Sequence, residues 1–235
     1  MDTPVLREVT RRAGEYGEFI GIRTPDFKGP CRNPQVSELG RPCFDLGVHC
    51  ALRDLTDLPR EALVEAARGK RFVVVGEDHP RDYPLRILEP LMDSGMFKGL
   101  FTEALIQGDY GRAGLVEVMA AGLVYYWNMD KYNRMIVMAL SRGLEVRGID
   151  VPLPNAEERR SDLPGYHARR VGSWTRYMIE NAAPGCQYLV LVGDAHLDFR
   201  PDPENQFNLP VRLVGEGIRP EEVLTISSSP YPPRS

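Results

Sequence analysis

Apolar residues in this chain gather in short, nearly unbroken runs. "RFVVVG" (71–76), "GLFTEAL" (99–105), "LEVRGID" (144–150), "YLVLVG" (188–193) and "VRLVG" (211–215) are rich in β-branched and apolar residues and predict strands, with "EVLTIS" (222–227) adding a sixth. Between them, "DYPLRILEPLMDSG", "LVEVMAAGLVYYWN", "MDKYNRMIVMALSRG" and "YHARRVGSWTRYMIENA" predict helices. Ahead of the first strand, "LPREALVEAARGK" predicts a helix that begins at Pro59 and ends at Gly69. Strands without clear alternation, separated by helices, predict an α/β fold: a mostly parallel central sheet covered by helices on both faces.

The pattern is lost at both ends. Residues 1–58 are rich in Gly, Pro and Asp and carry no sustained period, so they are expected to be an irregular N-terminal segment, acting as a lid or an appendage. The α/β domain is expected over 59–226, and "SSSPYPPRS" at 227–235 reads as a flexible tail.

With 43% hydrophobic and 26% charged residues among 235, the chain can bury a globular core, and one domain is expected. The net charge is −4 and no block of Lys or Arg occurs, which argues against nucleic acid or an anionic membrane as partner. A small molecule is the expected partner, and a homodimer is open. No run approaches the ~18 apolar residues of a membrane span and no signal peptide is evident, so a cytoplasmic location is expected.

Several chemistries lack their motifs. Cys31, Cys43, Cys50 and Cys186 are too few and irregular for a disulfide framework, and read as reduced thiols; near His49 they form no C-x2-C zinc pair. There is no G-x-S-x-G elbow and no Gly-rich phosphate loop, and Ser227 to Ser229 lie in the polar tail. Cys186 precedes the fourth strand, which places it at the sheet edge away from the strand C-termini.

Those C-termini collect the ionisable groups. "GEDH" puts Glu77, Asp78 and His79 after the first strand, Glu103 closes the second, Asp150 the third, and "GDAH" puts Asp194 and His196 after the fourth. In a parallel sheet these positions share one rim, where ligands bind. Asp78 and Asp150 also fit ordinary helix-capping roles. Two histidines, each following Gly and an acid, favour chemistry: an imidazole beside a carboxylate can take a proton from water near neutral pH. The same groups are adequate divalent-metal ligands.

The ordered elements "VVVGEDH", "LFTEAL", "GLEVRGID", "RYMIEN" and "YLVLVGDAHL", over roughly residues 60–200, resemble the superfamily of erythromycin esterases, ChaN-like haem-binding proteins and Tiki/TraB proteases. The esterase pattern falls on Gly76, Glu77 and His79, then Glu103, Gly148 and Asp150, Arg176, Met178 and Asn181, and His196. The spacing of "GEDH" is that of the ChaN-like branch, and the chain is shorter than a full erythromycin esterase. The resemblance implies an enzyme in which His79 is general base or acid, Glu77 orients it, and Glu103 and His196 complete the site. Arg147, Asp150, Arg176 and Asp194 are the implied substrate-binding residues. Hydrolysis of an ester, lactone or amide is the simplest reaction; elimination, cyclisation or group transfer in a biosynthetic pathway are relatives of it. The chemistry is expected to need no cofactor. The alternatives are a divalent metal on His79, Glu103 and His196, as in the Tiki-like branch, or haem on Tyr125, Tyr126 or Tyr132, as in the ChaN-like branch.

Overall fold

A computed structural model describes residues 18–21, 60–77, 83–110, 129–151, 163–197 and 208–227. In chain order these form β1 (Glu18–Gly21), α1 (Arg60–Ala67), β2 (Phe72–Glu77), α2 (Tyr83–Asp93), β3 (Phe97–Ile106) and β4 (Gly108–Asp109). There follow α3 (Met129–Ser141), β5 (Glu145–Asp150), α4 (Leu163–Asn181), β6 (Gln187–Gly193), a 3₁₀ turn (Asp194–Leu197), α5 (Leu209–Gly215), a second 3₁₀ turn (Pro220–Glu222) and β7 (Val223–Ser227). Apart from β1, the expected N-terminal segment lies outside the described residues, as do the tail beyond Ser227 and the helix expected at 115–128.

The seven strands form one sheet in the order β1-β7-β2-β6-β3-β5-β4, and every pair is parallel except β4 with β5. The chain first moves one way, from β2 past β6's place to β3 and on to β5. It then turns back to insert β6 between β2 and β3 and to place β7 beyond β2. Right-handed crossovers require helices made on the outward and return journeys to cover opposite faces. The core divides accordingly. Leu63 of α1, Leu88 and Leu91 of α2 and Met135 and Ile136 of α3 pack on Val73, Val75, Leu189 and Leu191. On the other face Val171, Trp174 and Met178 of α4 and Leu209 and Leu213 of α5 pack on Phe72, Val74, Val190 and Val192. Consecutive strand residues serve alternate faces, both of them buried, which is why the sequence shows apolar runs without alternation.

One predicted strand is a helix. "VRLVG" (211–215) lies in α5, whose start is set by Asn208: its side chain accepts a hydrogen bond from the Val211 N–H at 2.9 Å, and Pro210 occupies the first turn. A polar cap followed by proline is a helix start, and here it outweighs the β-branched content of the five residues after it.

The β3–β5 ladder is irregular at the rim. Thr102 pairs with Gly148, but Ile106 pairs with Asp150, so β3 carries two more residues than β5 across that interval. This bulge contains Glu103 and brings the β3 backbone over Gly148, where a Cβ would lie 2.0 Å from the Ile106 carbonyl oxygen and 2.6 Å from that of Leu105. Glycine is therefore a steric requirement of the bulge. Gly148→Ala is expected to destabilise the fold by about 2 kcal/mol or more, since the contact is with backbone that cannot rotate away. Urea unfolding within 0.5 kcal/mol (roughly the neutral range) of wild type would refute this.

Candidate active site

Glu103 owes its position to the bulge and to the insertion of β6 beside β3. Its Oε1 accepts a hydrogen bond from the Gly193 N–H at 2.5 Å, where β6 ends. Its Oε2 lies 3.5 Å from both Nη2 of Arg170 and Nε2 of His196. Glu103 is 1% exposed, so each of these contacts acts with little screening by water.

His196 belongs to the 3₁₀ turn that follows β6. The turn brings its ring back over the sheet end, edge-on to Trp174 at 4.7 Å between centroids. The second ring beside it is His167 of α4, at 6.1 Å. Burial, and secondarily the Arg170 guanidinium, pull the His167 imidazole down to about 4, with Asp150 opposing.

Behind this layer Asp150 is fully buried and takes Arg170 in a two-pronged pair, Nε to Oδ1 at 2.6 Å and Nη2 to Oδ2 at 2.8 Å. Oδ1 also accepts from Trp174 Nε1 at 3.2 Å and from the Val151 N–H at 2.9 Å. The Arg170 guanidinium lies over the Trp174 ring at 4.5 Å. One carboxylate thus fixes a guanidinium and an indole, and these in turn face Glu103 and His196.

Glu77 ends β2 in register with Gly193. It lies on the sheet face of α3, and the Tyr132 hydroxyl donates a short hydrogen bond to its Oε1. Both residues are 1% exposed.

Glu77, Glu103, Asp150 and His196 all lie at the rim, Glu77 on the α3 face with Tyr132 and the other three around α4. Asp150 is turned onto Arg170 and Trp174, so it positions them and is not presented to a ligand. Arg147 is not at the rim: it lies three residues earlier on β5, donating to the Asn181 carbonyl at the far end of α4 (2.5 Å) and to Glu145 (3.1 Å). Arg176 lines a groove shared with Arg212 of α5, away from Glu103 and His196. Cys186 immediately precedes β6 and lies at the opposite edge, as expected. His79, Asp78, Tyr125, Tyr126, Cys31, Cys43, Cys50 and the side chain of Asp194 lie outside the described residues.

Sequence reasoning missed Arg170, His167 and Trp174. A signal for them exists. In a β–α–β unit the helix starts at the strand C-terminal rim, and His167, Arg170 and Trp174 in "YHARRVGSW" recur at the three- and four-residue spacing of one helix face.

Among the described residues no group of three or more His, Cys, Asp or Glu is placed to hold a metal ion. Glu103 and His196 would supply two donors, but the shared carboxylate oxygen already faces the Arg170 cation, a poor surrounding for a divalent ion. Tyr132, the described member of the haem-ligand trio, is buried with its hydroxyl on Glu77. These residues do not by themselves make either centre.

No family model and no curated protein matches the chain. Among solved structures it is similar to the type III effector HopBA1, with 17% identity, a TM-score of 0.46, and coverage of 74% of this chain and 95% of that one. It is also similar to a solved chain described under bacterial protein toxins, with 16% identity, a TM-score of 0.43, and coverage of 72% of this chain and 36% of that one.

The low value for His167 has a sign-definite consequence. The unfolded imidazole takes up a proton near 6.5 and the folded one near 4, so between these values the unfolded state binds more protons. The stability that follows from a neutral His167 is fully present above pH 6.5 and is lost as pH falls to about 4. Because the ring is only partly buried, about 1–2 kcal/mol is expected over that window. Urea unfolding at pH 7 and pH 4.5 should show a steeper loss for wild type than for His167→Asn; equal losses would contradict the assignment.

Proposed function

We propose that the rim is the active site of an enzyme acting on a small molecule by His/Glu general acid–base chemistry, most simply hydrolysis of an ester, lactone or amide. The observation that carries this reading is the buried carboxylate of Glu103, with one oxygen held by a backbone N–H and the other facing both an arginine and the Nε2 of His196.

In this reading Nε2 of His196 turns to Glu103 and the imidazole is the group that exchanges protons with the reactants, although its Nδ1 is itself buried. Water attacks the substrate carbonyl carbon while the imidazole takes its proton, and Glu103 stabilises the imidazolium that forms. The tetrahedral intermediate collapses as the same proton passes to the leaving oxygen or nitrogen. Arg170 fixes the carboxylate, and Asp150 with Trp174 fixes Arg170. Glu77, on β2 across β6 from Glu103 and hydrogen-bonded by Tyr132, is a second acid of the rim. His79, two residues after Glu77, is the second imidazole. This is the esterase-type chemistry implied by the sequence resemblance, and the same proton transfers would serve elimination, cyclisation or group transfer.

The test is a panel of esters, lactones and amides offered to wild-type protein and to folded His196→Ala. Turnover of one class by wild type, with loss in the variant, is expected. Equal turnover by both proteins would overturn the proposal.

A further inference from the structure

His196 is 7% exposed, its Nε2 faces Glu103 and its Nδ1 is buried, so the ring is nearly closed to bulk water. The ring beside it, His167, is half-exposed. It sits in the second turn of α4, on the helix side that also carries Arg170 and Trp174. Because α4 follows β5, its start lies at the strand C-terminal rim.

The distance between the two rings limits what they do together. Two imidazoles joined by a direct N–H···N bond have centres about 5 Å apart, whereas two that share one oxygen, each bonded to it at about 2.8 Å, have centres about 6–7 Å apart. His167 and His196 have centres 6.1 Å apart and planes tilted by 50°. They are too distant to bond each other and stand at the spacing of two groups that hold one oxygen between them.

Their surroundings divide the work. Glu103 faces His196, and a carboxylate favours the imidazolium. His167 is held neutral at neutral pH by burial and by the Arg170 guanidinium, against the opposing Asp150 carboxylate. A neutral imidazole has one nitrogen that donates and one that accepts, so the protein can fix His167 through one while the other serves a reactant.

We propose that His167 is a further catalytic residue of the rim, holding the attacking water jointly with His196, an assignment that rests on the hydrolytic reading above. One O–H proton of the water passes to His196 as the water oxygen bonds to the substrate carbonyl carbon and the carbonyl electron pair moves onto its oxygen. The other O–H donates to His167, which stays neutral and aims the water's lone pair at the carbon. On collapse the carbonyl re-forms, the bond to the leaving group breaks, and the leaving group takes the proton from His196. The second water proton stays on the acid product and is released to solvent.

The test measures kcat and KM for wild type, His167→Ala and His196→Ala on the substrate class that wild type turns over, with circular dichroism melts confirming that each protein is folded. His167→Ala is expected to lose about tenfold or more in kcat with KM changed less than about threefold, the mark of positioning lost in the transition state. Added imidazole should restore part of that loss, since removing a half-exposed ring leaves a space that solutes reach. It should not restore His196→Ala, whose ring is buried. A loss in His167→Ala that imidazole does not restore overturns the proposal in favour of a packing role. If His196→Ala is inactive and His167→Ala keeps the wild-type kcat, the role of His167 is refuted and that of His196 stands. If His196→Ala keeps its rate, or wild type turns over none of the panel, the hydrolytic reading falls and the role of His167 falls with it. Should His167→Ala fail to fold, carbethoxylation of wild type with diethyl pyrocarbonate decides the matter. Loss of turnover that tracks modification at His167, mapped by peptide mass, with His196 unmodified, is then expected; full turnover with His167 modified overturns the proposal.

Discussion

Arg170→Met should lower the unfolding free energy by about 3–5 kcal/mol, the range found when one partner of a buried ion pair is removed. Asp150 is 0% exposed and Arg170 5%, so water cannot replace the guanidinium that the substitution takes away. The two short bonds from Arg170 would be lost together, leaving only Trp174 Nε1 and the Val151 N–H on Asp150. Glu103 would lose its neighbouring cation at the same time. Much of the cost is that of a stranded charge, which gives a second expectation: Asp150→Asn in the Arg170→Met background should restore part of the lost stability instead of adding to the loss. Urea unfolding of the two single variants and the double variant measures this. A loss under about 1 kcal/mol for Arg170→Met, the size of an exposed pair, would show that the pair does not hold the rim together.

The second large effect concerns rate. For whichever substrate class the wild type turns over, His196→Ala and Glu103→Gln are each expected to reduce turnover by about 100-fold or more, the usual contribution of a positioned acid or base. His79→Ala is expected to do the same under the two-imidazole reading. The pair His196 and Glu103 should behave as one unit. A Glu103→Gln/His196→Ala double variant should be little slower than the worse single variant, because a carboxylate that acts through an imidazole has nothing to act on once the imidazole is gone. Multiplicative losses would mean that Glu103 touches the substrate independently. Folded variants with wild-type rates would remove these residues from the chemistry altogether.

The sequence by itself determined most of the described elements and the α/β layering. Five of the six predicted strands form, since a run such as "YLVLVG" buried on both faces has few other homes, and helices between successive strands demand parallel pairing. It also placed Glu77, Glu103, Asp150 and His196 at strand ends, hence at one rim. A run of five residues such as "VRLVG" did not disclose its state, because the deciding signal was the Asn208 cap outside it.

The tertiary structure alone decided which of these groups touch. Strand order is a non-local property: the insertion of β6 between β2 and β3 sets Gly193 beside Glu103, and the β3 bulge over Gly148 turns that carboxylate toward α4. The choice of arginine follows from the same geometry. Arg147, Arg170 and Arg176 are chemically equivalent in the sequence, and long side chains reach in any direction. Only the packing of α4 on the sheet sends Arg170 to Asp150, Arg147 to the far end of the helix and Arg176 into the outer groove.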